Sequence, residues 1–171
     1  MMAMNMGQAL DPEITLLLKN LDKAYDQKGW HGPNLRGSLR RLAADQASWR
    51  PAPKRHSIAD IVVHCAYWKY AVRRRLRGDK RGSFPIKGSN WFRLPTNLSE
   101  QEWKSYVRLL DAEHTALRQA IADLPPRLLH QKTPGSKVRN STLIYGIAAH
   151  DLYHTGQVRL LKSLQSKRPS P

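Results

Sequence analysis

The stretch SEQEWKSYVRLLDAEHTALRQAIADL, Ser99 to Leu124, decides the class of fold. Within it Trp103, Val107, Leu110, His114, Leu117, Ile121 and Leu124 recur at alternating steps of four and three, which lays one apolar seam along an α-helix. Ser99-Glu100-Gln101-Glu102 opens the helix as a capping box, and Pro125-Pro126 closes it. A helix with a single apolar seam has to bury it against other elements.

Those elements carry the same signals. Ser57-Ile58-Ala59-Asp60 is an acidic capping box, followed by Ile58, Ile61, Val62, Cys65, Trp68 and Val72 at helical spacing to about Arg77. Asp11 caps, and Pro12 starts, a helix running to about Lys28 on Ile14, Leu17, Leu18, Leu21 and Tyr25. Leu35, Leu39 and Leu42 predict a short second helix, stopped by Trp49-Arg50-Pro51-Ala52-Pro53. A basic loop through Pro134-Gly135 leads to Asn140 or Ser141 as the cap of a last helix reaching Leu164 or Gln165. Nothing reads as a strand, and there is no internal repeat. The expected architecture is all-α: a four-helix bundle with one short extra helix and a long loop, Gly78 to Leu98, between the third and fourth helical segments. Its length suits one domain, 1–171, with residues 1–10 and 166–171 as flexible tails.

Cys65 is the only cysteine, which removes an internal disulfide, zinc ribbons, iron–sulfur clusters and redox CxxC pairs. A protein-bound metal must therefore use histidine or carboxylate. Without a secretory signal or a membrane-length apolar run, the chain is expected in the cytoplasm with no membrane partner. Lys and Arg number 29 against 13 acids, a formal charge of +16 that makes nucleic acids and anionic substrates candidate partners. The charge is densest from Arg73 to Arg81, at the end of a predicted helix, where cations meet the negative end of the helix dipole.

His150 and His154 stand four apart on the stripe of Leu143, Ile147, Val158 and Leu161, so both imidazoles should point inward, about 5–6 Å apart at Cβ. One ion can bind both. The residue after His150 is Asp151, so the Glu-based zincin motif does not apply, and Asp151 is expected to face solvent or a neighbouring helix. For the third ligand, His64, between Ile61 and Trp68, and His114, central in its seam, rank nearly level on pattern alone. Asp60, one turn before His64, could accept its second ring N–H or serve only the capping box. His31, His56 and His130 lie beside turn signals and are weaker candidates.

Taken together, His56-Ser57-Ile58-Ala59-Asp60-Ile61-Val62-Val63-His64, the Trp49-Arg50-Pro51 approach and His150-Asp151-Leu152-Tyr153-His154-Thr155-Gly156-Gln157-Val158 resemble the DinB-like superfamily, also called damage-inducible or YfiT-like metalloenzymes. The HxxxHxGQ ending is the most specific part. The resemblance implies a four-helix bundle in which His64, His150 and His154 bind a divalent ion such as zinc or nickel, and it promotes His64 above His114. It implies either transfer of a low-molecular-weight thiol or hydrolysis, with many members of no established activity.

Three neutral imidazoles would leave coordination positions open for water or a thiol as the nucleophile, which suits a catalytic site. Trp68 is a candidate wall, Trp91 or Phe92 a candidate cover, Tyr153 and Gln157 candidate hydrogen-bonding groups, and Arg159 with the Arg73 cluster candidate anion attractors. The competing readings are a basic nucleic-acid-binding module, for which no helix-turn-helix, RNP or zinc-finger signature appears, and a catalytically silent metal-binding protein with a regulatory or stress-response role. Homodimerisation through an apolar helix face is a further expectation.

Overall fold

The computed structural model describes residues 10–80, 82, 84–133 and 136–166, and every regular element among them is helical. Four long helices carry the core: α1 (Pro12–Tyr25), α4 (Ile58–Arg77), α5 (Glu100–Ala122) and α6 (Asn140–Ser166). Two short helices, α2 (Leu35–Ser38) and α3 (Ala44–Ser48), and one 3-10 turn, Pro126–Leu128, fill the connections. Among the described residues no helix is long and apolar enough to cross a membrane. Apart from Leu10 and Ser166, both expected tails lie outside the described residues, as do Arg81 of the basic run and Pro134-Gly135.

The caps act where the sequence places them. Asp11 accepts from the Glu13 and Ile14 N–H groups, and Ser57 with Asp60 and Ser99 with Glu102 form reciprocal boxes. Gly78, at φ 71°, ends α4 in the left-handed region, where its N–H meets Arg75 O and the Asp79 N–H meets Arg74 O.

Three boundaries differ from expectation. Helix α1 stops at Tyr25 rather than Lys28, because the Asp26 and Gln27 N–H groups both turn back to Asp22 O. The predicted second helix is two helices, broken at Arg41, whose φ of 59° is left-handed. The second of them, α3, starts where Gln46 Oε1 accepts from the Ala43 N–H and Glu100 from the Ala44 N–H. Asn140 is the first residue of α6, yet its side chain donates to Leu128 O instead of capping the helix, which ties the helix start to the 3-10 turn.

The core is two apolar clusters. One gathers Leu35, Ala47, Ile58, Ile61, Val62, Cys65 and Ala66 of α4 among others, Trp103 and Leu110; the other gathers Leu18, Leu21, Val72, Leu117, Ile121, Ile144 and Ile147. Between them runs a buried polar layer with a group from each long helix: Tyr25 of α1, Lys69 of α4, His114 of α5 and Asp151 of α6. The Lys69 ammonium pairs with Asp151, both side chains fully buried, and lies 4.8 Å from the centroid of the Tyr25 ring. Tyr25 stacks on His114 at 3.7 Å and donates through its hydroxyl to Asp111.

Three arginines of the basic run meet neighbouring groups. Arg73 pairs with Glu113 at 3.1 Å, Arg74 donates to Asp79 O, and the Arg75 guanidinium lies over the Trp68 ring at 6.0 Å.

Candidate metal centre

α4 and α6 bring three imidazoles to one point beside the polar layer. The Nε2 atoms of His64 and His154 each lie 3.1 Å from His150 Nε2. His64 and His154 are buried and His150 is half-buried. Tetrahedral zinc with nitrogen ligands needs N···N edges of about 3.3 Å. Two of the three edges are thus already near ligand spacing, and all three ligand atoms lie within 4.8 Å of one another.

Two of the three are oriented by their other nitrogen. His64 Nδ1–H donates to the Asn90 carbonyl at 2.8 Å, and His154 Nδ1–H donates to Gln157 Oε1 at 2.7 Å. An acceptor at Nδ1 fixes the tautomer and leaves the Nε2 lone pair aimed at the common point. Among the described residues His150 Nδ1 is buried without a hydrogen-bond partner, so no hydrogen bond there fixes the orientation of its ring. Burial holds the imidazoles neutral, the form that ligates. It lowers His64 to about 4 and His150 to about 3, with His154 also lowered, and in His150 the neighbouring histidines add to the effect.

Asp60 does not reach His64. Its carboxylate accepts from the Ser57 N–H and is forked by Arg50, with Nη1 to Oδ2 at 2.5 Å and Nη2 to Oδ1 at 3.2 Å. The role expected of it near His64 falls to the Asn90 carbonyl. Arg50 also donates to Leu94 O, which pins the long loop against the start of α4.

That loop does positional work. At Asn90, φ is 61°, a conformation asparagine tolerates, and the turn aims the Asn90 carbonyl at His64 and its side-chain oxygen at Trp68 Nε1, 2.9 Å away. Trp91 lies flat on His64, centroids 3.8 Å apart, and His56 stacks on its outer face at 3.6 Å. His56, a weak candidate by its turn context, therefore sits one ring away from the centre. Trp91 packs its ring on His64, while Phe92 is buried with Tyr67 and Phe84. Trp68 presents its edge to both His64 and His150, each at 6.4 Å. Tyr153 is exposed, with its ring edge-on to His154 at 5.0 Å.

His114 is not part of the centre. It stacks on Tyr25, with Asp22 at 3.9 Å, and burial together with the Lys69 and Arg118 cations holds its pKa down to about 3. An unfolded histidine titrates near 6.5, so below that pH the unfolded chain gains a proton that native His114 refuses until about pH 3. Native stability is expected to fall across this window by up to about 1.4 kcal/mol per pH unit for this residue. His114→Phe keeps a ring on Tyr25 and should make the stability slope one proton shallower between pH 6 and 4, measured by urea unfolding. Equal slopes would contradict this account.

Asp151 resolves to the second of its expected positions, facing the neighbouring α4 through Lys69. With Cys65 and His150 it forms a second group whose ligand atoms lie within 4.8 Å of one another. That group suits an ion less well. Burial pushes the Cys65 thiol up, and the Asp151 carboxylate is already paired with Lys69.

An all-helical protein with a largely buried three-histidine group between two helices is the class these features define. The chain belongs to the DinB superfamily, whose family model matches residues 29–158. No match was found among curated proteins or among solved structures.

Proposed function

We propose that the protein is a metal-dependent enzyme that holds a divalent ion, zinc or nickel, on His64, His150 and His154, and catalyses either transfer of a low-molecular-weight thiol or hydrolysis. The observation that carries the reading is the convergence of three Nε2 atoms at near-ligand spacing, two of them oriented by acceptors at Nδ1. When bound, the ion supplies Lewis-acid activation of a water or a thiol near neutral pH. The remaining work falls to the chain. Gln157 and the Asn90 carbonyl hold the rings, Trp91 covers His64 from water, and the half-buried His150 marks the side from which a reactant arrives.

The test is elemental analysis and metal titration on protein purified without a polyhistidine tag. Wild type should hold close to one ion per chain, and His64→Ala and His150→Ala should lose it. Gln157→Leu should keep the site but weaken affinity by roughly 10–100-fold, the usual effect of removing a ligand's hydrogen-bond partner. Equal metal content in wild type and both alanine variants would sink the proposal.

A further inference from the structure

A cleft of about 160 Å³ opens directly beside His150, between α4 and α6. Trp68 and Val72 form one wall, and Leu143 and Ile147 the other. Its surface is overwhelmingly apolar. An apolar cavity of roughly 150 Å³ takes up benzene, so this one suits a group about the size of a phenyl ring.

Two polar groups border the cleft, His150 from α6 and Arg75 from α4, and the Arg75 guanidinium lies 6.0 Å from the Trp68 ring, itself 6.4 Å from the His150 ring. Arg73 is taken by Glu113 and Arg74 by a carbonyl, whereas the Arg75 guanidinium rests on the face of Trp68 with no carboxylate among the described residues paired to it. A guanidinium held at the rim of an apolar slot is a ready partner for a carboxylate.

Gly146 is the second, independent observation. It sits in the second turn of α6, inside the helix, where glycine costs about 0.5–1 kcal/mol relative to alanine, yet a Cβ built there meets nothing within 4 Å. Neither backbone angle nor crowding calls for glycine. Gly146 is one of the residues that line the cleft, and the space beside it is open.

We propose that this cleft is the substrate subsite, and that it takes a small carboxylate with an apolar body of about phenyl size, the carboxylate on Arg75 and the far end against His150. The site of reaction, though not the binding, rests on the metal-centre reading. The probes are 3-phenylpropanoate and its uncharged analogue 3-phenylpropanol, titrated calorimetrically into the full chain with its zinc content measured beforehand. The carboxylate should bind at least roughly tenfold more tightly than the alcohol, as expected for a charge-assisted contact. Arg75→Gln should abolish that preference and leave alcohol binding unchanged. Gly146→Leu should fill the slot and weaken both probes by about tenfold or more, while Gly146→Ala, a gentler control, should melt no lower than wild type.

Equal affinity of the two probes in wild type, no binding of either, or full binding in a folded Gly146→Leu would each overturn the proposal. The two readings fail separately. Protein that binds the carboxylate through Arg75 and Gly146 but holds no metal keeps the cleft and loses the centre; protein that holds metal but shows no carboxylate preference does the reverse.

Discussion

Asp151→Leu is expected to destabilise the protein by about 3–5 kcal/mol, because it strands the Lys69 ammonium in the core without its partner. Both side chains of the pair are fully buried. The other cation-binding surface beside Lys69 is the Tyr25 ring, 4.8 Å away, and a ring face offsets a fraction of what a carboxylate does. Burial pushes the Asp151 carboxyl up while Lys69 pulls it down, the opposition expected where both charges have left water. Removing both charges should therefore cost much less than removing one. Lys69→Met combined with Asp151→Leu is expected to recover most of the loss, to within about 1–2 kcal/mol of wild type, as apolar replacements of buried ion pairs do. Chemical denaturation of the two single variants and the double variant forms the cycle. If the double variant is no more stable than Asp151→Leu alone, the pair holds the fold in some way other than mutual neutralisation.

The same pair explains what the sequence could and could not disclose. Helix starts were legible because Asp11, Ser57 and Ser99 are local signals, satisfied by N–H groups two or three residues away. The His150/His154 face was legible for the same reason: helical spacing sets it without reference to any other element. Lys69 was not, since a lysine on a helix that ends in a run of arginines looks like one more solvated cation, and only the meeting of α4 with α6 buries it. Asp60 misled in the opposite direction. Its spacing from His64 allowed contact, but Arg50 from the proline-braced turn claims the carboxylate first. Family resemblance separated His64 from His114, and the structure supplies the physical difference: His64 faces α6 across the Nε2 gap, while His114 is stacked on Tyr25 in the polar layer. The Asn90 carbonyl had no signature as a ligand holder, although Gly88-Ser89-Asn90 marks the turn that presents it.

Zinc is expected to raise the melting temperature of the wild type by roughly 10 °C when supplied at a thousand times its dissociation constant. An ion that binds only the native state adds RT ln(1 + [L]/Kd), about 4 kcal/mol at that excess, and a chain of this length gains roughly 2–4 °C per kcal/mol. His154→Ala removes one of the three nitrogens and, with it, the group that Gln157 orients. Losing a ligand should weaken binding more than the roughly 100-fold ceiling for losing a ligand's partner, so the same zinc concentration should then stabilise by about 1.4 kcal/mol or less. Melting both proteins in chelator separates this loss from damage to the fold, because a ligand effect appears only when zinc is present. A zinc shift that survives in His154→Ala would move the ion elsewhere, and Cys65, His150 and Asp151 are the described residues that could receive it. That outcome carries its own signature. Binding there would need the Asp151 carboxylate released from Lys69, so Lys69→Met would strengthen zinc binding at the second group and leave it unchanged at the three-histidine centre.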